Sequence, residues 1–256
     1  MNINNPFDFT GKTIILTGAA GGLGRPISIA FAKAGAEVAI CDLNEQGLAV
    51  IVDEIKAFGG HYLTRKVDLC SQGEVEDFVR MVHEKFQKVD VLVNVVGGLI
   101  RKLAVEYPLE EWERVVDMNL KACWLSCQAV GRIMVGQRRG RIINFTSNAG
   151  THGIQNNAAY GPAKAGVIAL TRVLAVEWGP YGVSTNALAP GFVATPINAD
   201  ILTNPKAIER FVARMPLGGQ ILPDDAPVGP TLFLASDAAR WINGHTLYVD
   251  AGFNIT

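Results

Sequence analysis

The chain has 256 residues, of which 49% are hydrophobic and 18% charged, enough for one large α/β domain or two small ones. Its net charge of −1 argues against nucleic acid as a main partner, and the lack of any run of about 18 apolar residues argues against a membrane span. Residues 1–12 are polar and lack the plan of a signal peptide. Cys41, Cys70, Cys123 and Cys127 have neither metal nor disulfide spacing, so no metal site is expected. Cys123 and Cys127, four apart in an apolar helical stretch, read as buried thiols, with a redox pair as the lesser reading. These features point to a reducing compartment, most simply the cytoplasm.

Seven apolar runs read as strands: Thr13–Thr17, Glu37–Cys41, Tyr62–Asp68, Val91–Val96, Arg141–Phe145, Val183–Leu188 and Thr246–Val249. Most are continuous and β-branched, the pattern of strands buried on both faces. The stretches between them have helical period, as in the stripe Val75, Phe78, Val79, Val82 and Phe86. Ser71-Gln72-Gly73-Glu74, just before that stripe, reads as a capping box. Strand–helix alternation of this kind predicts an α/β fold, a doubly wound parallel sheet with helices on both faces. No repeat or interdomain linker interrupts residues 1–256, so one domain is expected.

The first strand runs into Thr17-Gly18-Ala19-Ala20-Gly21-Gly22-Leu23-Gly24, and a helix follows. Glycines let a backbone turn tightly and approach a pyrophosphate, which the helix N-terminus then binds. The spacing is G-x-x-x-G-x-G, using Gly18, Gly22 and Gly24. Pro26 falls in the first helical turn, where a missing N–H costs little. Asp42 ends the second strand, where a carboxylate accepts ribose hydroxyls and repels a 2′-phosphate. NAD is therefore expected over NADP, with Arg25 the one nearby complication. Asp68, after the third strand, is placed near the adenine, with a turn role almost equally apt.

Tyr160 and Lys164 are four apart on a predicted helix, hence on one face, and Ser147 precedes them. A phenol is a poor base at neutral pH because its pKa is near 10. At an effective dielectric of about 20, an ammonium ~4 Å away contributes up to ~4 kcal/mol. That lowers the phenol by up to about three pH units, toward the range of efficient acid–base catalysis. From Gly191 to about Pro223 the rhythm breaks, punctuated by Pro196, Pro205, Pro216 and Gly218–Gly219. A long segment after a strand end reads as a substrate lid over about 191–223.

In this order the motifs resemble the short-chain dehydrogenase/reductase family along essentially the whole chain: Thr17-Gly18-x-x-x-Gly22-x-Gly24, Asp68-Leu69, Asn94-Val95-Val96-Gly97, Asn119, Ser147, Tyr160-x-x-x-Lys164, Pro190-Gly191 and Thr195. The resemblance implies a single-domain Rossmann fold and a homotetramer built on the helices around Trp112–Gly136 and Ala158–Trp178. It implies Tyr160 as acid/base, Lys164 as its partner and nicotinamide-ribose ligand, Ser147 as donor to the reacting oxygen, and Asn119 as anchor of a relay water. Cofactor contacts would come from Gly18, Gly22, Leu23, Gly24, Asp42, Asp68, Leu69, Asn94, Gly97, Tyr160, Lys164, Pro190, Gly191, Val193 and Thr195.

The chain departs from the family pattern in two places. Val95-Val96 replace the usual Asn-Ala, and Val96 is expected to reshape the adenine-side wall. Ala251 replaces a usual glycine, a mild change if residue 251 needs no positive φ. Pro162, inside the Tyr–Lys turn, is a potential helix bend.

Gly98-Leu99-Ile100-Arg101-Lys102, Glu177-Trp178 and residues Ile242 to Asp250 are most similar to the family's gluconate 5-dehydrogenases and 2-keto-3-deoxy-gluconate dehydrogenases. The expected reaction is reversible NAD-dependent oxidation of a secondary alcohol, on a sugar acid or related polyol. Arg101 suits a carboxylate, a solvated loop arginine being the equal alternative. His152 is placed near substrate hydroxyls, and Arg210 and Arg214 are weaker candidates. Alternatives are a dehydrogenase of cyclic ketones, cis-diols or steroids, a 3-oxoacyl-carrier reductase, and a non-catalytic NAD sensor.

Overall fold

The computed structural model describes residues 5–217 and 220–256; the Gly218–Gly219 punctuation lies outside the described residues. The strands are β1 (Thr13–Thr17), β2 (Glu37–Asp42), β3 (Tyr62–Lys66), β4 (Val91–Asn94), β5 (Gly140–Phe145), β6 (Val183–Pro190) and β7 (Thr246–Val249). They form one parallel sheet in the order β3-β2-β1-β4-β5-β6-β7. Chain direction across the sheet reverses between β1 and β4, where doubly wound sheets open a crevice beyond the strand ends.

Helices α1 (Gly24–Lys33), α2 (Glu45–Ala57), α3 (Gln72–Phe86), α4 (Leu109–Val116), α5 (Ala122–Gln137), α6 (Tyr160–Trp178), α7 (Ala199–Leu202), α8 (Pro205–Val212) and α9 (Val228–Ala235) complete the fold. Each face of the sheet buries its own apolar core. Phe78, Val82, Val130, Met134 and Val167 belong to one, with α3, α5 and α6. Ile27, Phe31, Ile51, Ile55 and Leu234 belong to the other, with α1, α2 and α9. A two-sided core is why the strands read as unbroken apolar runs. No helix among the described residues is long and apolar enough to cross a membrane.

Several local expectations are corrected. β3 stops at Lys66 because the Asp68 amide turns away to the Glu74 carboxylate (2.8 Å). That same bond occupies Glu74, and Ser71 caps α3 without a side-chain bond, so no capping box forms. β4 stops at Asn94, whereas β6 continues to Pro190 and stays in register with Val249 of β7. Pro162 lies in the first turn of α6, which runs unbroken to Trp178. Ala251 has φ +53°, so the glycine replacement falls at a strained position.

The segment after β6 is not a plain loop. It leaves through Thr195, forms α7 and α8, and returns through Leu222. There Ala194 donates to the Leu222 carbonyl (2.9 Å) and Leu222 to that of Phe192 (3.1 Å). Asn204 caps α8 by accepting from the Ala207 amide, with Pro205 at the first helical position.

Candidate active site

Two cavities meet at the carboxyl ends of the strands and share Tyr160 and Thr195 as walls. The larger, about 760 Å³, lies over the switch point between β1 and β4. The chain enters it through Gly18 (φ +68°), where a Cβ would stand 2.7 Å from the Val96 Cα. A Cβ on Gly22 would stand 2.8 Å from the Thr195 methyl. The loop is thus pressed against two neighbours at the start of α1, and Gly18, Ala20, Gly21 and Gly22 line the crevice. Gly24 does not line the cavity; its Cβ would collide with the Gly18 carbonyl, so its role is steric.

Asp42 is fixed beside this loop. One carboxylate oxygen accepts from the Ala20 amide (3.0 Å), the other from the Asn44 amide (2.9 Å). Arg25 is drawn off by Glu54, at 2.8 Å from Nε, and is not a lining residue. Among the described residues, the cations lining the crevice are Arg114 and Lys164. Arg114 went unremarked in the sequence, since it looks like any charge on an amphipathic helix. Leu23, Asp68, Leu69 and Gly97 also line the crevice. A glycine turn lining the crevice, a helix N-terminus and a fixed carboxylate on β2 fit the pyrophosphate and ribose of a dinucleotide.

Asn94, like Gly24, is an expected cofactor ligand that does not line the crevice. It is 1% exposed and faces α5. Its oxygen accepts from Thr17 Oγ1 (3.1 Å), and its Nδ2 donates to Asn144 Oδ1 (2.9 Å) and to the Cys127 sulfur (3.2 Å). Cys123 and Cys127 are buried free thiols around this network.

Ser147 follows β5 and its Oγ accepts from the Ala149 amide (3.2 Å). Tyr160 opens α6, and Lys164 lies one turn on, 5.6 Å from the Tyr160 ring centre. Lys164 is 3% exposed and donates to the Phe145 carbonyl (3.0 Å). Burial pulls its pKa down to about 8. Burial pushes the Tyr160 phenol up, opposed by its hydrogen bond with Ser147 and by the charge of Arg101. Within the polypeptide, therefore, the expected lowering by Lys164 does not prevail. With its pKa drawn down to about 8, Lys164 is largely neutral where a phenol titrates, and the phenol pays its own desolvation.

Asn119 sits in a single π-turn, Asp117–Lys121, between α4 and α5. Its Nδ2 donates to the Val115 carbonyl (2.8 Å), which an ordinary α-turn would give to a backbone amide, and to Gly98 (2.7 Å). The side chain thus helps to create the π-turn that holds it. Its Oδ1 is buried without a partner. A Cβ on Gly97 would stand 2.5 Å from this oxygen and 3.2 Å from the Lys164 nitrogen, so glycine leaves the two polar groups open to each other.

The second cavity, about 610 Å³, is bounded by Ser147, Tyr160, the 153–157 loop and the segment from Pro190 to Arg214. Pro190, Gly191, Val193 and Thr195 all line it. Arg101, Arg210 and Arg214 line it too. Arg101 is held by Asp200 (2.8 Å), Asn198 Oδ1 (2.8 Å) and the Ile197 carbonyl (3.2 Å), which ties the loop after β4 to the segment after β6. Arg214 stacks on Phe253 at 4.0 Å. His152 is not a lining residue: its ring meets Phe253 edge-on at 5.9 Å and its Nδ1 pairs with Thr151 Oγ1. The chain turns after Asn148, which carries His152 past the cavity mouth.

A dinucleotide crevice that meets a second cavity at a serine–tyrosine–lysine group is the architecture of a nicotinamide-dependent oxidoreductase. The family model described as "Enoyl-(Acyl carrier protein) reductase" matches residues 18–254, and the chain belongs to the short-chain dehydrogenase/reductase family. It is 37% identical to a 3-oxoacyl-[acyl-carrier-protein] reductase of Synechocystis, over 95% of this chain and 97% of that one. It is 31% identical to the 2-dehydro-3-deoxy-D-gluconate 5-dehydrogenase of Dickeya dadantii, over 98% of each. Among solved structures, the gluconate 5-dehydrogenase of Burkholderia cenocepacia, in complex with NADP and tartrate, superposes with a TM-score of 0.94 at 28% identity, over 98% of each chain.

Proposed function

We propose that the protein catalyses NAD-dependent, reversible oxidation of a secondary alcohol to a ketone on a sugar acid or related polyol. The observation that carries this is Tyr160, which forms a wall of both cavities beside Ser147. Bound NAD supplies the hydride-accepting ring. Ser147 holds the carbinol oxygen, and Tyr160 takes its proton. Lys164 favours the phenolate and binds ribose hydroxyls, while the unpartnered Asn119 oxygen anchors a water that passes the proton outward.

Asp42 supports NAD, because its fixed carboxylate would face a 2′-phosphate with no lining cation from Arg25. Arg101, Arg210 and Arg214 support an acidic substrate. They also favour it over a 3-oxoacyl-carrier substrate, the activity named for the Synechocystis relative, as does Asp42. The exposed apolar residues Leu109, Trp112 and Trp124 on α4 and α5, and Val173 and Val176 on α6, support a homotetramer.

The test is a panel of aldonic acids and neutral polyols with NAD⁺ or NADP⁺, read by the absorbance of the reduced cofactor. Turnover with NAD⁺ is expected, lost in Tyr160→Phe with cofactor binding kept. Full activity of Tyr160→Phe, or equal use of NADP⁺, refutes the corresponding assignment.

A further inference from the structure

The Arg101 guanidinium is already paired with a carboxylate of the chain itself. Its Nη1 donates to Asp200 Oδ1 (2.8 Å) and to the Ile197 carbonyl (3.2 Å), and its Nη2 to Asn198 Oδ1 (2.8 Å). Arg101 and Asp200 both line the substrate cavity, and among the described residues Asp200 is the one carboxylate that does. Arg101 is also close enough to Tyr160 for its charge to lower the phenol's pKa. The internal ion pair therefore lies within electrostatic reach of the reacting group.

The three partners of Arg101 are not equally fixed. Asn198 is anchored through its own Nδ2, which donates to the Val193 carbonyl (3.0 Å), and Ile197 presents backbone. The Asp200 carboxylate has no second partner among the described residues, and its side chain is 59% exposed against 23% for Arg101. No residue of Pro196–Asn198, α7 or α8 is buried. A segment with so little buried surface shifts at low cost, and an exposed ion pair contributes little stability. Asp200 is thus the partner that can leave.

An acidic substrate meets this pair as it enters. Two carboxylates at one guanidinium repel each other, whether the newcomer takes the donors left free or replaces Asp200. A neutral polyol carries no charge to set against Asp200. We infer that Asp200 is a specificity-determining residue that acts as an internal competitor: it occupies Arg101 in the free enzyme and weakens the binding of substrate carboxylates there. Asn198 and Ile197 keep the guanidinium in place when Asp200 is displaced. This rests on the acid-oxidising reading above and adds to that site a residue working against its substrate.

Asp200→Asn provides the test, because it keeps the shape of the side chain and removes its charge. The readout is KM for an aldonic acid divided by KM for the alditol of the same carbon number, with NAD⁺. The variant is expected to lower this ratio about two- to fivefold, the worth of one exposed ion pair. In an Arg101→Ala background the same change should have no such effect, since no guanidinium is there to be freed. A ratio unchanged or raised by Asp200→Asn, in an enzyme that oxidises aldonic acids, overturns the competitor and makes Asp200 a brace. An equal fall in the Arg101→Ala background overturns the pairing with Arg101 as its route. Absence of wild-type turnover with any aldonic acid overturns the competitor and the acidic substrate together.

Discussion

Replacing Lys164 by methionine should stabilise the fold while abolishing turnover. The ammonium is 3% exposed, and its pKa is drawn down to about 8 from 10.5. That depression costs the native state about 3 kcal/mol at neutral pH. Methionine fills similar space without charge but leaves the Phe145 carbonyl unpaired, a loss of about 1–2 kcal/mol. The net gain is about 1–2 kcal/mol, or roughly 2–8 °C in Tm for a chain of this size.

The pH dependence is the sharper readout. The native pKa lies below the unfolded one, so between pH 8 and 10.5 the unfolded chain binds more protons. Wild-type stability therefore gains from this group as pH rises through that window, and the variant lacks the gain. Urea unfolding at pH 7 should place the variant's midpoint above that of the wild type. The difference should shrink above pH 8 and reverse near pH 10. A variant less stable at pH 7, or a difference constant from pH 7 to 10, would refute the burial argument.

Arg101→Ala removes a charge that lowers the Tyr160 pKa, so the rising limb of kcat/KM for alcohol oxidation should move to higher pH. The same change should raise KM for aldonic acids more than for neutral polyols; equal effects would make Arg101 only a brace for the segment after β6. Gly22→Ala places a methyl within 2.8 Å of Thr195, and fluorescence titration should show cofactor affinity weakened about tenfold or more. Ala251→Gly relieves a left-handed alanine and should stabilise the protein by about 0.5–1 kcal/mol in urea unfolding.

The sheet was legible because strands buried on both faces leave unbroken β-branched runs, and all seven were found. Their ends were not, since they depend on single bonds such as Asp68 to Glu74. The helices α7 and α8 were obscured by Pro196 and Pro205, although Asn204-Pro205 is itself a helix start and offered the needed signal. Tyr160, Lys164 and Ser147 stood out through their order along the chain. The burial of Asn94 was hidden, because a motif gives position but not the side of the strand the residue faces. The balance of charges around Tyr160 was hidden too, because burial is a property of the assembled fold.

The network around Asn94 acts as a ruler for the sheet. Thr17, Asn94 and Asn144 stand opposite one another on β1, β4 and β5, and Asn144 passes the chain on to Thr171 of α6 (3.0 Å). Slippage by one residue would turn any of these side chains to the opposite face and strand its buried polar atoms among apolar neighbours. Uniform valine and isoleucine ladders carry no such mark, since one rung packs much like the next. The polar row keeps these strand ends flush. It thereby sets the level at which the glycine loop, Ser147 and the start of α6 come together, so the alignment of the reaction centre is fixed from within the core.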